Sequence, residues 1–247
     1  MTAARITWLG HATVLIELDG VLVLTDPVLR RRLAHLERAE AVATASLPAL
    51  DLVLVSHVHY DHFDLPSLRR LGPLAPRVAV PAGAARLLRR TKVGSVVEMD
   101  EGSELELSGV GVRATHAEHR ASRHPLSPVL PSLGFVITGS RTIYFAGDTD
   151  LFDGMDTIAD SLDVALVPVA GWGPRLPPGH LDPARAAEAV RRLRPRVAVP
   201  IHWGTLKPVY RRTPYSGGAP EEFAARAGEV APDVEVRILR VGESCEL

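Results

Sequence analysis

The chain contains one cysteine, Cys245, among its 247 residues. A single thiol cannot form an intrachain disulfide, and it cannot supply the thiolate cluster of a structural zinc site. The sequence also lacks an apolar run long enough to cross a bilayer, and its start lacks the charged-then-apolar pattern of a signal peptide. These absences predict a cytoplasmic protein without a transmembrane segment.

An excess of charge of one sign is missing as well. Lysine and arginine number 28 and aspartate and glutamate 29, which gives a net charge of -1. Such a chain has no broad basic field to attract nucleic acid or an anionic membrane, so a small-molecule substrate is the expected partner. The sequence does not determine the oligomeric state and is compatible with a homo-oligomer. Without repeats, low-complexity stretches or linkers, residues 1–247 are predicted to form a single domain.

Histidine and aspartate are concentrated in one stretch, Ser56–Asp64, which reads SHVHYDHFD. It follows the apolar residues 50–55, which the pattern predicts to be a buried strand. A plain surface loop favours glycine, serine and asparagine, whereas imidazole and carboxylate are the usual nitrogen and oxygen donors to divalent metals. The potential ligands are His57, His59, Asp61 and His62. This spacing favours a metal site over a histidine-rich surface loop.

Hydrophobic patterning predicts strands in two batches, with helices alternating among them. The strands are predicted at residues 5–9, 13–18, 21–25, 50–55, 77–80, 96–99, 104–107, 110–115, 133–138, 142–146, 163–168, 196–201 and 234–239. The helices are predicted at residues 66–71, 81–90, 183–193 and 221–230, and residues 30–45 are expected to form a short helix or a mobile flap. The pattern is typical of an α+β fold with two central sheets and helices outside.

Four predicted strands are each followed by a potential ligand: His57, His119, Asp148 and His202. Ligand sites in sheet proteins gather at the carboxyl ends of strands, where loops from distant parts of the chain meet. This rule permits the four side chains to converge, but the residues alone do not require it.

The motifs that carry these residues resemble those of metallo-β-lactamase-fold hydrolases. They read ITWLGHATVLIELDGVLVLTDPV, DLVLVSHVHYDHFD, ATHAEHRASR, LGFVITGSRTIYFAGDTD, HLDPARAAEAVRRL and IHWGT, and they span residues 6–205. The subgroup they most resemble is that of the ascorbate-6-phosphate lactonase-like and N-acylphosphatidylethanolamine phospholipase D-like proteins. The resemblance implies a four-layer αββα sandwich with a two-metal site. His57, His59 and His119 would hold one metal, Asp61, His62 and His202 the other, and Asp148 would bridge both.

Two adjacent divalent ions can share a water and lower its pKa from about 15.7 to near 7, which yields a hydroxide nucleophile at neutral pH. Asp61 is expected to ligate one ion and to orient that hydroxide. An aspartate at position 148, in place of cysteine, keeps the site rich in oxygen and suits Zn, with Mn or Fe as alternatives. His59 occupies a position where redox di-iron members of this fold usually carry an acidic residue, so redox chemistry is disfavoured.

Several residues near these motifs can be interpreted in more than one way. His180 lies just before the N-terminus of a predicted helix. One interpretation is that it faces substrate or phosphate there. The other is that it only leads into the helix, beside the N-cap residue Asp182. His11 and Asp26 are interpreted as supports that orient the metal ligands. His119 is preferred over His116 as the ligand of its segment. Trp203 would either pack in the core or line the pocket, while His35, in the basic segment, and His124 are expected to face solvent.

Two functions follow from this pattern. The first is a binuclear metal-dependent hydrolase acting on a phosphodiester or on a lactone or ester, and the anion-attracting helix entry at His180 tilts the choice towards a phosphate-bearing substrate. The second is a non-catalytic member of the fold that binds a metal or a ligand. The complete ligand set disfavours the second function.

Overall fold

The computed structural model describes residues 4–40, 47–72, 74, 77–124 and 126–247. Most of the strands lie where apolar, β-branched sequence predicted them. In chain order the strands are β1 (Arg5–Gly10), β2 (Thr13–Leu18), β3 (Val21–Thr25), β4 (Arg32–Leu33), β5 (Leu36–Arg38), β6 (Leu52–Leu54), β7 (Arg77–Pro81), β8 (Ser95–Met99), β9 (Glu104–Leu107), β10 (Val110–His116), β11 (Ala121–Ser122), β12 (Val129–Leu130), β13 (Leu133–Thr138), β14 (Thr142–Phe145), β15 (Val164–Pro168), β16 (Val197–Ile201), β17 (Leu206–Pro208), β18 (Glu235–Val236) and β19 (Ser244–Glu246).

Two seven-stranded sheets form the centre of the molecule. The first has the order β19-β1-β2-β3-β6-β7-β8, and the second has the order β18-β16-β15-β14-β13-β10-β9. Each sheet combines an antiparallel part with a parallel part: β3, β6, β7 and β8 run parallel in the first, and β14, β15, β16 and β18 in the second. Because parallel strands end at the same edge of a sheet, the residues after β3 and β6 emerge at one edge of the first sheet, and those after β14 and β16 emerge at one edge of the second.

Among the described residues, four α-helices cover the outer faces of the sheets. They are α1 (Leu65–Leu71), α2 (Ala85–Leu88), α3 (Pro183–Leu193) and α4 (Ala219–Val230). Helix α3 begins as predicted, since the Asp182 carboxylate accepts a hydrogen bond from the Arg185 N–H at 2.8 Å and Pro183 occupies the first turn. Helix α2 covers only part of the predicted residues 81–90, because β7 extends to Pro81 and the N-cap residue, Ala84, has no side-chain acceptor to start the helix earlier. Within the described part of the chain, no helix has the length and apolarity to span a membrane.

Three buried clusters give the order of the layers. The largest lies between the sheets and joins Ile16 of β2 to Phe135 of β13. A second places Phe223 of α4 against the outer face of the second sheet, and a third places Leu68 of α1 against the outer face of the first. Each such fully buried side chain contributes about 1.5–3 kcal/mol. The layers therefore run helix, sheet, sheet, helix, which confirms the α+β, αββα prediction.

The sequence left two alternatives for Trp203, packing in the core or lining the pocket. Its indole packs in the core. Its ring stacks on Trp8 of β1 with ring centroids 4.8 Å apart, and its Nε1–H donates to the Pro200 carbonyl at 3.0 Å. Because Trp8 belongs to the first sheet and Trp203 follows β16 of the second, the stacked pair ties the two sheets together at the edge where their loops meet.

The helix prediction for residues 30–45 is wrong over the part that the structure describes, whereas residues 41–46 lie outside it. Residues 32–38 form the hairpin of β4 and β5, with Ala34 in a left-handed conformation at φ 51° in its turn. Strand β5 also pairs with β17, far along the chain. This pairing overrides the helical propensity of the alanine, leucine and arginine residues.

The closing strand also differs from the prediction. Of residues 234–239, only Glu235–Val236 form a strand, at the edge of the second sheet. The chain instead ends in β19, which pairs with β1 at the edge of the first sheet. In β19 the side chain of Cys245 is buried.

Candidate metal centre

The loops that follow the strands of both sheets meet at one edge of the sandwich. The His202 N–H donates to the His11 carbonyl at 2.9 Å, and this bond joins the end of β16 to the end of β1. His11, Asp26 and His202 all have left-handed backbones, with φ values of 57°, 33° and 64°. Such conformations cost a non-glycine residue on the order of 1–3 kcal/mol and persist where the surroundings enforce them. Three of them at one edge indicate that the loops are held for the placement of their side chains.

A first cluster of imidazoles forms where the loop after β6 meets the loop after β10. The Nε2 atom of His57 lies 3.0 Å from Nδ1 of His59, and Nε2 of His119 lies 3.1 Å from the same atom. His57 is buried and His119 nearly so. Three ring nitrogens that point at one another leave at least two lone pairs facing each other, and this is unfavourable without a shared cation.

A second cluster joins the loop after β6 to the loop after β16. The Nε2 atoms of His62 and His202 lie 3.1 Å apart, and the Asp61 Oδ2 atom lies 3.8 Å from each of them. The His11 Nε2–H donates to the same Asp61 oxygen at 3.0 Å. Burial would lower the pKa of His62, but its pKa lies well above the usual range because Asp148, Asp61 and Asp26 surround it. This negative potential around an imidazole suits a bound cation.

The Asp148 carboxylate lies between the clusters. Its Oδ2 atom is 3.2 Å from His62 Nε2 and 3.8 Å from His57 Nε2, while Oδ1 is 3.2 Å from His202 Nε2. The Oδ1 atom is buried, and it has no hydrogen-bond partner among the described residues. Burial would raise the pKa of Asp148, but His202 and His62 hold it well below the usual carboxyl range. An ionised, partly unsatisfied carboxylate between two imidazole clusters is placed as a bridging ligand would be.

Four of the histidines are oriented by a hydrogen bond from Nδ1, the ring nitrogen that faces away from the centre. Their Nδ1 atoms donate to Ser56 Oγ at 3.0 Å (His57), Asp26 Oδ2 at 2.7 Å (His62), the Gly179 carbonyl at 2.8 Å (His119) and the Ala170 carbonyl at 2.6 Å (His202). Because each Nδ1–H is committed to an acceptor outside the centre, Nε2 is the nitrogen that presents a lone pair when a cation takes the place of its proton. All four Nε2 atoms face the centre, and this is the arrangement that outer hydrogen bonds give to metal-binding histidines.

These observations test whether the residues suit divalent ions. The converging lone pairs, the unpaired Asp148 Oδ1 and the mixture of imidazole and carboxylate donors all fit. The structure thus brings together every residue that the sequence proposed as a ligand: His57, His59, Asp61, His62, His119, Asp148 and His202. It keeps His116 out of the cluster, since His116 is partly exposed and lies 3.2 Å from Glu101.

Asp26 anchors the centre from behind. Its carboxylate accepts hydrogen bonds from the Ser56 N–H at 2.7 Å, the Ser56 hydroxyl at 2.5 Å and His62 Nδ1 at 2.7 Å. The Ser56 hydroxyl in turn accepts the His57 Nδ1–H. Since Asp26 is fully buried, burial raises its pKa. One carboxylate therefore orients a histidine of each cluster.

We expect Asp26→Asn to weaken metal binding by about 10–100-fold, because an amide cannot accept all three hydrogen bonds and His62 loses its orientation. Competition with a chromophoric chelator measures the affinity. Asp51→Asn is the matched control, since Asp51 accepts a backbone N–H from Leu22 at the opposite end of β6. Equal affinity in the Asp26 variant and the native protein would show that Asp26 does not support the centre.

The remaining sequence candidates lie in different places. The His180 Nε2 atom is 3.3 Å from Asp148 Oδ2, at the outer side of the centre. His124 is near the surface and contacts the Tyr60 hydroxyl at 3.1 Å. As predicted, His35 is exposed; it lies in the β4–β5 turn and packs edge-on against Trp172. Ser56 had no predicted role, although its position directly before the first candidate ligand, His57, marked it as a neighbour of the centre.

Comparisons with known proteins agree with this architecture. A family model described as a beta-lactamase superfamily domain matches residues 22–203. The chain is 34% identical over 250 residues to a metal-dependent hydrolase of Methanopyrus kandleri, covering 98% of this chain and 99% of that one. It is 34% identical over 226 residues to the N-acyl-phosphatidylethanolamine-hydrolyzing phospholipase D 1 of Caenorhabditis elegans, covering 81% of this chain and 63% of that one.

A solved structure supports the same assignment. A metallo hydrolase of the archaeon Ignicoccus hospitalis superposes with a TM-score of 0.77 at 26% identity, covering 100% of this chain and 99% of that one. The chain belongs to the metallo-β-lactamase superfamily, in the branch of metal-dependent hydrolases that includes these relatives. The resemblance inferred from the motifs is thereby confirmed.

Proposed function

We propose that the protein is a binuclear metal-dependent hydrolase that cleaves a phosphodiester or a lactone or ester. The observation that carries this proposal is the position of Asp148, with one oxygen near His62 and His57 and the other near His202. A carboxylate has two oxygens and can serve two ions, whereas an imidazole has one free nitrogen. A single-metal site would not need a carboxylate between two sets of converging nitrogens.

Under this proposal the side chains divide into two sets. His57, His59 and His119 would hold one ion, Asp61, His62 and His202 would hold the other, and Asp148 would be shared. When bound, two divalent ions supply Lewis acidity and lower the pKa of water from about 15.7 to near 7. The donor set suits Zn first, with Mn or Fe as alternatives.

Asp61 serves as both ligand and orienting group. Its Oδ2 atom is held by the His11 Nε2–H at 3.0 Å, and its side chain keeps 15% of its surface exposed towards the cavity above the centre. Burial would raise the pKa of Asp61, but His62 and His11 hold it well below the usual range, so the carboxylate stays ionised. An ionised, accessible carboxylate at this edge can accept a hydrogen bond from an attacking water.

His180 is proposed to contact substrate. Its Nδ1 atom donates to the Pro177 carbonyl at 3.0 Å, and its Nε2 atom faces both Asp148 and the cavity. Burial would lower its pKa, but the hydrogen bond to Asp148 raises it, so Nε2 can hold a proton beside the leaving group. The helix entry itself gives less support to a phosphate than the sequence suggested, because the Asp182 carboxylate already occupies the N–H of Arg185.

We expect His180→Ala to lower kcat by about 10²–10⁴-fold while metal content stays unchanged, since the variant loses a proton donor and no proposed ligand. Steady-state kinetics and plasma mass spectrometry give the two readouts. His116→Ala, which removes a partly exposed imidazole outside the cluster, is the control and should match the native protein. Loss of metal from the His180 variant would make His180 a ligand instead.

The reaction itself is tested with a panel of chromogenic phosphodiesters, lactones and carboxylic esters, assayed after loading with Zn, Mn or Fe. Turnover by the native protein that is lost in His59→Ala supports the hydrolase. A complete absence of turnover across the panel, in protein shown to contain two metal ions per chain, would contradict the proposal that the protein cleaves these types of bond.

A further inference from the structure

A cavity of about 700 Å³ opens directly above the metal centre. Its floor is polar and consists of His59, Asp61, Asp148, His180 and His202. Its volume lies in the range of pockets that enclose a drug-sized molecule. A substrate whose reacting bond rests on this floor must therefore place a neighbouring group against the walls.

The walls are mostly apolar and come from two segments outside the central sheets. The β4–β5 hairpin contributes Leu33 and Leu36, and the loop of residues 171–177 contributes Trp172, Leu176 and Pro177. We call this set the cavity wall. None of these five side chains carries a charge, and Trp172, Leu176 and Pro177 offer most of the accessible apolar surface.

The two segments are packed against each other. Leu33 and Leu36 form a small buried cluster with Val28 and Leu206, and Trp172 packs against that cluster. Strand β17, which carries Leu206, pairs with β5 and fixes the hairpin from the other side. Since the wall is held by its own packing, the cavity is preformed, and a ligand gains apolar contact there without ordering a loop.

Charge limits the ligand further. Among the described residues that line the cavity, Arg175 is the one permanent cation, and its side chain is exposed. A nucleotide or another polyanion would need several cationic partners away from the metals. The wall provides one at most, so the part of the substrate that it contacts carries little or no charge.

We propose that the cavity wall binds an uncharged hydrophobic group of the substrate, an alkyl or aryl substituent adjacent to the bond that is hydrolysed. The substrate class is thus a small amphiphile: a phosphodiester or carboxylic ester with one apolar arm. The orientation of the bond on the floor rests on the proposed function, whereas the affinity of the wall for an apolar group does not.

A binding experiment tests the wall without turnover. We expect N-phenyl-1-naphthylamine, a neutral fluorescent probe, to bind the native protein saturably at one site per chain, with and without chelator. Leu176→Ser and Trp172→Ala should each weaken this binding at least about tenfold, because each removes apolar contact. Tyr210→Ala is the control, since Tyr210 is 78% exposed and does not line the cavity. Because Trp172 packs on a buried cluster, the half-buried Leu176 provides the variant that leaves that cluster intact.

A kinetic series tests the substrate class. For p-nitrophenyl phosphodiesters and esters with methyl to hexyl arms, used below their micelle-forming concentrations, we expect kcat/KM to rise about fourfold per buried methylene. The rise should be smaller in Leu176→Ser. Saturable probe binding without turnover of any compound would overturn the proposed function and leave the wall standing. Turnover that is independent of arm length, together with no saturable probe binding, would overturn the inference about the wall.

Discussion

Replacing Asp148 with asparagine is expected to lower kcat/KM by about a thousandfold or more and to reduce metal content below two ions per chain. The carboxylate supplies the one negative charge that both clusters share, and its Oδ1 atom is buried without a described partner. An amide of the same shape keeps one oxygen but brings an NH2 group towards imidazole nitrogens or a cation. Loss of several kcal/mol of stabilisation at the reacting centre corresponds to this rate effect.

Circular dichroism should show unchanged secondary structure in Asp148→Asn, because the side chain lies in a loop beyond β14 rather than inside a strand. Asp163→Asn is a matched control: Asp163 lies before β15 of the same sheet and accepts the Thr142 N–H at 2.9 Å, away from the centre. It should keep full activity. Native kinetics and two bound ions in the Asp148 variant would contradict a bridging role.

Removal of metal is expected to lower the thermal midpoint of unfolding by at least about 10 °C. Ions present at 100–1,000 times their dissociation constants stabilise by about 2.7–4.1 kcal/mol per site, and a protein of this size shifts by about 2–4 °C per kcal/mol. The physical reason lies in Asp26 and Asp148, which are buried carboxylates, and in His62, the buried imidazole between them. Without bound cations, these buried charges are less well neutralised, and water cannot reach them to compensate.

Scanning calorimetry of native and chelated protein measures this shift, and added zinc should restore the midpoint. His59→Ala, which removes one proposed ligand, should respond less to chelator than the native protein does. An unchanged midpoint after chelation, with loss of metal verified by mass spectrometry, would mean that the side chains hold their arrangement without ions.

The candidate site follows from the sequence because its residues obey a local rule. His57, Asp148 and His202 each lie within three residues after an apolar strand, so the strand and the candidate ligand are both visible in a short stretch of sequence. Their convergence is not local, because it depends on the parallel pairing of β3 with β6, of β14 with β15 and of β15 with β16. The family resemblance supplied that step at the sequence level.

The cavity wall could not be predicted in the same way. Residues 32–38 have helical propensity, and they form a hairpin because β5 pairs with β17, about 170 residues later in the chain. Leu33 and Leu36 therefore face a small cluster shared with Trp172 and the cavity beside it. The proposed substrate contacts depend on this long-range packing, so the sequence indicated the candidate metal ligands but left the apolar pocket undefined.

Binuclear chemistry at this centre requires two metal ions per chain. Plasma mass spectrometry on protein purified without chelator or added metal measures their number. We expect close to two equivalents of Zn, Mn or Fe in the native protein and fewer in His59→Ala. Metal content near zero, unrestored by incubation with each ion, would contradict the binuclear centre and leave the converging histidines without their proposed role.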